Sequence, residues 1–283
     1  MSLSPSSSVQ EARKAVAQRL REVRLDAGLT GREIAARCGW HPAKSSRLEN
    51  AKAVPSDADI RAWCEACRAE DRILDLIAAS RSADSMYVEW RHLHRSGLRG
   101  IQESYLPLYQ RTRAFRIYCS NVMPGVLQTP EYAAGLLSVI ADFHGTGDDS
   151  APDAAAARIE RSQVIRQGRH QFALLVEETV LRYQIGDVAT MAGQLGHLLS
   201  VMALPSVSLG VIPFGMRRRI WPQETFSIFD GETVEIELLT ARVMVTAPSE
   251  LEQYEKAFQR LTELAVYGDG ARKLIRAALD SME

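Results

Sequence analysis

From Glu11 to Ser80 apolar residues recur only at helical spacing, whereas beyond Ser80 alternating and continuous apolar runs appear between further helical stretches. That break constrains the chain to two differently built parts, an all-helical one and a mixed one. A first helix is expected over about Glu11 to Ala27, with Val16, Leu20, Val23 and Ala27 gathered on one face and Arg19, Arg21 and Arg24 pointing elsewhere. Gly28 ends it. Thr30 with Glu33 three positions on makes a capping box that opens a second helix carrying Ile34, Ala35 and Cys38, and Gly39 stops it. A third runs from Pro42, acceptable at a first helical position, to Asn50. Ser56 and Asp59 open a fourth with Ile60, Trp63, Cys64 and Cys67 as its stripe, and Ile73, Leu74, Leu76 and Ile77 supply a fifth. Met1 to Gln10, Ser-rich and without apolar periodicity, is expected to be a disordered tail.

Strands are expected at Phe115 to Cys119, Phe172 to Val176 and Val207 to Ile212. Phe226 and Ile228, then Val234, Ile236 and Leu238, flank Asp230-Gly231 as a hairpin. Helices are expected after Thr129-Pro130, from Asp187 to Ala203, and from a cap at Ser249 with Glu252. Residues 144–153 read as an exposed loop. The expected fold class is mainly α, α+β, with a helical domain over 11–82 followed by an α+β domain over 83–283 that holds a small mixed or antiparallel sheet.

Charge divides along the same line. Arg13 to Lys52 contains ten Lys/Arg against four Asp/Glu, an excess of six positives, which leaves −7 for the remainder of a chain whose net charge is −1. A basic N-terminal module on an acidic remainder is the asymmetry expected when one end meets phosphate. The cysteines Cys38, Cys64, Cys67 and Cys119 are too few for a disulfide framework in a chain of 283 residues, so reduced thiols are expected. No apolar stretch approaches the roughly 20 residues that span a bilayer, and no signal-like start is visible. The expected location is the cytoplasm, at the nucleoid when DNA is bound, with no membrane partner.

Two short helices joined by a Gly-containing turn, the second basic, suit a helix laid in a major groove about 12 Å wide. The segment Leu29 to Asn50 resembles the repressor-type (XRE-like) helix-turn-helix typified by phage repressors, matching at Leu29, Thr30, Glu33, Ala35, Gly39, Arg47, Glu49 and Asn50. It departs from that family at Gly31 and Pro42, where glutamines are usual, and at Ser45, where a branched apolar residue is usual. Base readout is therefore expected from Ala43, Lys44, Ser46 and above all Arg47, because Arg is the commonest partner of guanine O6/N7. Arg19, Thr30, Arg32, Asn50 and Lys52 are expected on the phosphate backbone. Ser45 in a packing position contributes less apolar burial and asks for a hydrogen-bond partner.

Further along, Asn121 to Leu137, the Arg158, Arg161 and Arg166-Gln167 series, Glu177 to Asp187, Gln194 to Leu199 and Val207 to Phe214 resemble a C-terminal domain of unknown function (DUF5753-like) found behind such helix-turn-helices in actinobacteria. The resemblance implies a regulator of development or secondary metabolism, often encoded beside small partner proteins. In place of that family's Gly-rich segment after Pro213-Phe214, this chain has Arg217, Arg218 and Arg219, which suit either a solvated loop or an anion contact.

Other residues invite chemistry and are better read as structure. Cys64-x-x-Cys67 lacks a second ligand pair for zinc and lies on an apolar stripe, so core packing is expected. Alternate spacing sends His92 and His94, beside Trp90, to different faces of a helix. Glu177 and Glu178 follow a buried-looking strand and suit ion pairing, since neither a nucleophile elbow nor a phosphate loop accompanies them. No catalytic residue, metal or cofactor is assigned, and an enzyme is not expected. The leading expectation is a transcription regulator that binds double-stranded DNA as a homodimer, with the second domain responding to a small partner protein or a small-molecule effector. The alternative is an antitoxin-like interaction protein that sequesters a small partner and binds DNA as autoregulation.

Overall fold

The computed structural model describes residues 5–82, 87–89, 97–145, 151–239 and 241–282. The chain divides into two compact units, one of Met1–Val88 with Val243–Glu252 and one of Glu89–Arg242 with Gln253–Glu283. Trp90, His92 and His94 lie outside the described residues.

In the first unit α1 (Pro5–Asp26), α2 (Gly31–Arg37), α3 (Pro42–Glu49), α4 (Asp57–Cys67) and α5 (Ile73–Ser82) follow the helical periodicity. Helix α1 starts at Pro5 rather than near Glu11, so Pro5 to Gln10, expected within the tail, are helical. Proline at the first position suits a helix start because its missing N–H has no intrahelical partner there. Thr30 caps α2 and Ser56 caps α4, each in a reciprocal box with the residue three positions on. Gly39, at φ 69°, turns the chain between α2 and α3 through backbone space that a side chain would strain. Val16, Leu20, Ile34, Leu48, Ile60, Trp63, Cys64 and Leu76 close the core. Trp63 is fully buried and its indole N–H donates to Leu20 O at 2.9 Å, which satisfies the one polar atom it carries inside.

The second unit contains α6 (Gly97–Ser104), α7 (Leu106–Arg111), α8 (Pro130–His144), α9 (Ala151–Ser162), α10 (Val188–Val201) and α12 (Gly268–Asp280). Helix α11 (Pro248–Thr262) and the short strands β1 (Tyr87–Glu89) and β7 (Ala241–Val245) fall where the chain passes between units. The strands wholly inside it take the order β6-β5-β2-β3-β4. Here β2 (Ala114–Cys119), β3 (Gln171–Glu177) and β4 (Val207–Ile212) run parallel, while β5 (Phe226–Phe229) pairs antiparallel with β2 and β6 (Thr233–Glu237) pairs antiparallel with β5. The sheet is therefore mixed. Helices α8 and α9 carry the chain from β2 to β3 and α10 carries it from β3 to β4, as parallel neighbours require. Asp230 and Gly231, both with positive φ, form the hairpin turn between β5 and β6. The Asp230 carboxylate also accepts from the backbone N–H groups of Arg113 and Ala114, tying the turn to the start of β2.

Several sequence expectations change here. The segment 144–153 is in part helical, since α8 ends at His144 and α9 begins at Ala151. Helix α11 starts at Pro248, ahead of the expected Ser249 cap, and α6, α7, α9 and α12 were not anticipated. Alanine-rich α9 carries too few large apolar residues to show a stripe, yet Ala151, Ala154, Ala155 and Ala157 are buried because small side chains let neighbouring elements approach closely.

Candidate nucleic-acid interface

Helix α3 turns Ser45 and Leu48 inward, leaves Lys44 and Glu49 partly covered and faces the rest outward. Ser45 and Leu48 are buried, whereas Pro42, Ala43, Ser46, Arg47 and Asn50 are exposed. The helix starts at His41, whose Nδ1 accepts from Ala43 N at 3.2 Å; this side-chain cap was not read from the sequence. The Ser45 hydroxyl finds the partner it needs, since it lies 3.0 Å from both Gly31 O and Pro42 O and can donate to either. A residue that would weaken packing as a free hydroxyl instead ties α3 to the start of α2.

A buried ion pair fixes the other end of α3. Arg24, 7% exposed, bonds Glu49 through Nε and Nη2 and donates through Nη1 to Leu29 O. The expectation that Arg24 points away from the core is corrected by its burial. Its place four residues after Leu20, on the stripe of Val16 and Leu20, was the available signal, and a charge at such a position needs a buried partner.

The expected base-reading residues separate in this geometry. Ala43, Ser46 and Arg47 stand on the open face, and the Arg47 side chain makes no ion pair among the described residues. Lys44 is engaged inside the unit, with Nζ 2.5 Å from Asp59 Oδ1 and 4.2 Å from the centre of the Trp40 ring. Burial works against the Asp59 carboxylate, but the Lys44 and Ser56 hydrogen bonds outweigh it and hold the group below its ordinary range. Lys44 therefore directs its charge at Asp59 on α4.

The backbone-contact residues are also spread. Thr30, Arg32 and Lys52 are exposed around α2 and α3. Thr30 Oγ1 already accepts from Glu33 N at 3.2 Å, and that box keeps the Glu33 carboxyl below its usual range through the Thr30 backbone N–H first and its hydroxyl second. Asn50 Nδ2 donates to Ser46 O at 2.7 Å, so its amide closes the end of α3. Arg19 lies 3.9 Å from Glu250. Cys64 and Cys67 sit in the core, and burial pushes the Cys64 thiol up to about 12, which leaves it an inert thiol at neutral pH.

Elsewhere, Glu177 pairs with Arg218 and accepts from the Tyr118 hydroxyl at 2.8 Å. Glu178 pairs with Arg182 and accepts from Phe214 N. Both carboxylates thus hold the 213–219 loop and its neighbours, as ion pairing predicted. No described helix is long and apolar enough to cross a membrane.

The profile of a helix-turn-helix domain matches residues 15–76, which supports a DNA-binding regulator. The profile of a domain of unknown function, DUF5753, matches residues 102–277, well over half the chain. No curated protein and no solved structure matches the chain. With a repressor-type helix-turn-helix ahead of it, the protein belongs to the DUF5753 family.

Proposed function

We propose that this protein is a sequence-specific transcription regulator that reads duplex DNA through the open face of α3. The observation that carries the reading is the sorting of that helix: Ser45 and Leu48 anchor it inward, while Ala43, Ser46 and Arg47 face outward with the guanidinium unpaired among the described residues. Arg47 meets a guanine edge, Ser46 offers a hydroxyl to a base, and Ala43 supplies apolar contact. Arg32, Lys52 and Thr30 meet phosphates and set the register without specifying sequence. The local excess of positive charge supports this placement.

One such module buries little surface, so a homodimer on a two-fold operator is the proposed working form, with the DUF5753 unit holding the dimer and sensing an effector or small partner. The family resemblance supports development or secondary metabolism as the process, and DNA as the partner supports a location at the cytoplasmic nucleoid.

Binding-site selection from random duplexes, followed by mobility-shift titration of the full chain across salt, tests the reading. Steep salt dependence and an enriched two-fold site are expected. No binding above background at low salt would overturn it.

A further inference from the structure

Arg158 and Arg161, on the same side of α9 three residues apart, both carry charge into the second unit. Arg158 donates through Nε to Gln102 Oε1 at 3.0 Å and through Nη1 to Gln128 Oε1 at 2.9 Å. Both acceptors are neutral amides. Arg161 is 7% exposed, and its guanidinium lies over the rings of Tyr105 and Tyr109, 4.5 and 4.9 Å from their centres. Stacking serves the faces of the guanidinium and leaves its edges unanswered: Nε and Nη1 are buried with no hydrogen-bond partner. Neither arginine is bonded to a carboxylate among the described residues.

The same ring of Tyr105 gathers further unmatched groups. Glu235, 5% exposed on β6, accepts from the Tyr105 hydroxyl through one oxygen, while its Oε2 is buried without a partner. The Arg242 guanidinium lies 5.1 Å from the centre of the Tyr105 ring, and its Nε is also buried and unpartnered. Cationic donors and one carboxyl acceptor thus surround a single phenol with part of their hydrogen-bonding capacity, at Arg161 Nε and Nη1, Arg242 Nε and Glu235 Oε2, unfilled. An unpaired buried charge is among the costliest features a fold can retain, so each one calls for an explanation, a functional role among them.

We propose that this cluster is a binding site for a small organic acid bearing a hydroxyl or amino group, its carboxylate meeting Arg161 and Arg242 and its donor meeting Glu235 Oε2. The charges match such a ligand. Arg158, Arg161 and Arg242 outnumber the carboxyls of Glu235 and Glu237 by one, so one added negative charge brings the cluster to balance. Burial first, and Arg161 second, push the Arg158 guanidinium down to about 10 against the opposing pull of Glu237, the mark of cations crowded together in a buried place. Burial and the neighbouring Glu237 raise the Glu235 carboxyl to about 7, so near neutral pH it can accept from a ligand donor or give a proton to a ligand oxygen. The proposal supplies a ligand class for the sensing role proposed above and rests on that part of the reading. It is measured without DNA, so failure of the site and failure of the DNA reading are seen separately.

The test is thermal unfolding of the full chain with glycolate, L-malate, L-serine, acetate or inorganic phosphate, each against chloride at matched ionic strength. A hydroxy or amino acid of this panel is expected to raise the midpoint by about 3 °C over chloride at ten times its dissociation constant, and acetate by less. Arg161→Met, folded by circular dichroism, is expected to lose the rise. Gly125→Ala keeps every charge but sets a Cβ 3.3 Å from Arg161 Nη2, so the guanidinium must shift by a few tenths of an ångström and the rise is expected to weaken; it decides the matter if Arg161→Met does not fold. The proposal is overturned if no hydroxy or amino acid exceeds chloride, if phosphate alone does, or if the rise persists undiminished in the variants.

Discussion

Arg24 and Arg161 are buried to the same extent, 7% exposed each, and their surroundings could hardly differ more. Arg24 meets a carboxylate through two nitrogens and a carbonyl through the third. Arg161 meets two aromatic faces and leaves two nitrogens unbonded. Burial alone therefore says little about a charge's role. A guanidinium whose donors are all answered within the chain joins two helices, here α1 and α3, and fixes α3 in place. One whose donors are unanswered holds capacity for something outside the chain.

The largest expected effect breaks that comparison or upholds it. Arg24→Ala leaves Glu49 without its partner and should destabilise the first unit by about 3–5 kcal/mol, read from urea unfolding. Arg161→Met removes a charge with no bonded anion and places an apolar chain between two tyrosines, so stability is expected to hold or improve. Equal losses in the two variants would erase the distinction.

Next comes pH. The Glu235 carboxyl is raised by burial and by Glu237, with Tyr105, Arg242 and Arg161 opposing, to about 7 from an ordinary 4.5. A raised acid contributes stability that is complete below its unfolded value and is lost as pH rises through its folded one. The second unit should thus weaken between about pH 4.5 and 7, by up to roughly 1.4 kcal/mol per unit, and Glu235→Gln should flatten that slope. An unchanged slope in the variant would show that the carboxyl does not titrate as its burial demands.

Smaller still, Arg47→Ala should cost about 1–3 kcal/mol of operator affinity and relax selectivity at one base pair, leaving thermal stability unchanged. A uniform loss across all sequences would move Arg47 to the phosphate set. The least effect is expected from Thr30→Ala, which removes the cap of α2 and should lower stability by about 1 kcal/mol in denaturant titration. A loss several times larger would mean that Thr30 bears on more than its own helix.

Much of this molecule was legible before any coordinates because the interactions concerned are short in sequence. The boxes at Thr30 with Glu33 and Ser56 with Asp59, the turn at Asp230-Gly231 and the stripe of α4 each close within a few residues. The apolar runs of β3 and β4 were visible too, but their parallel pairing was not read from them. Continuous burial of both faces signals parallel strands, yet which strands pair is decided by crossovers of tens of residues. At the interface, Ala43, Ser46 and Arg47 are exposed, while Lys44 bonds Asp59, fifteen positions away.

By itself, then, the sequence determined the helices of the first unit, the inward face of α3 and the basic charge around it, since local hydrogen bonds and periodicity suffice for these. Only the tertiary structure decided which charges would be answered. Arg24 and Glu49 are 25 residues apart, and Tyr105 and Glu235 are 130 apart. No local pattern distinguishes a buried arginine that will meet a carboxylate from one that will meet only tyrosines, because that outcome depends on which distant segments the packed core brings to its side.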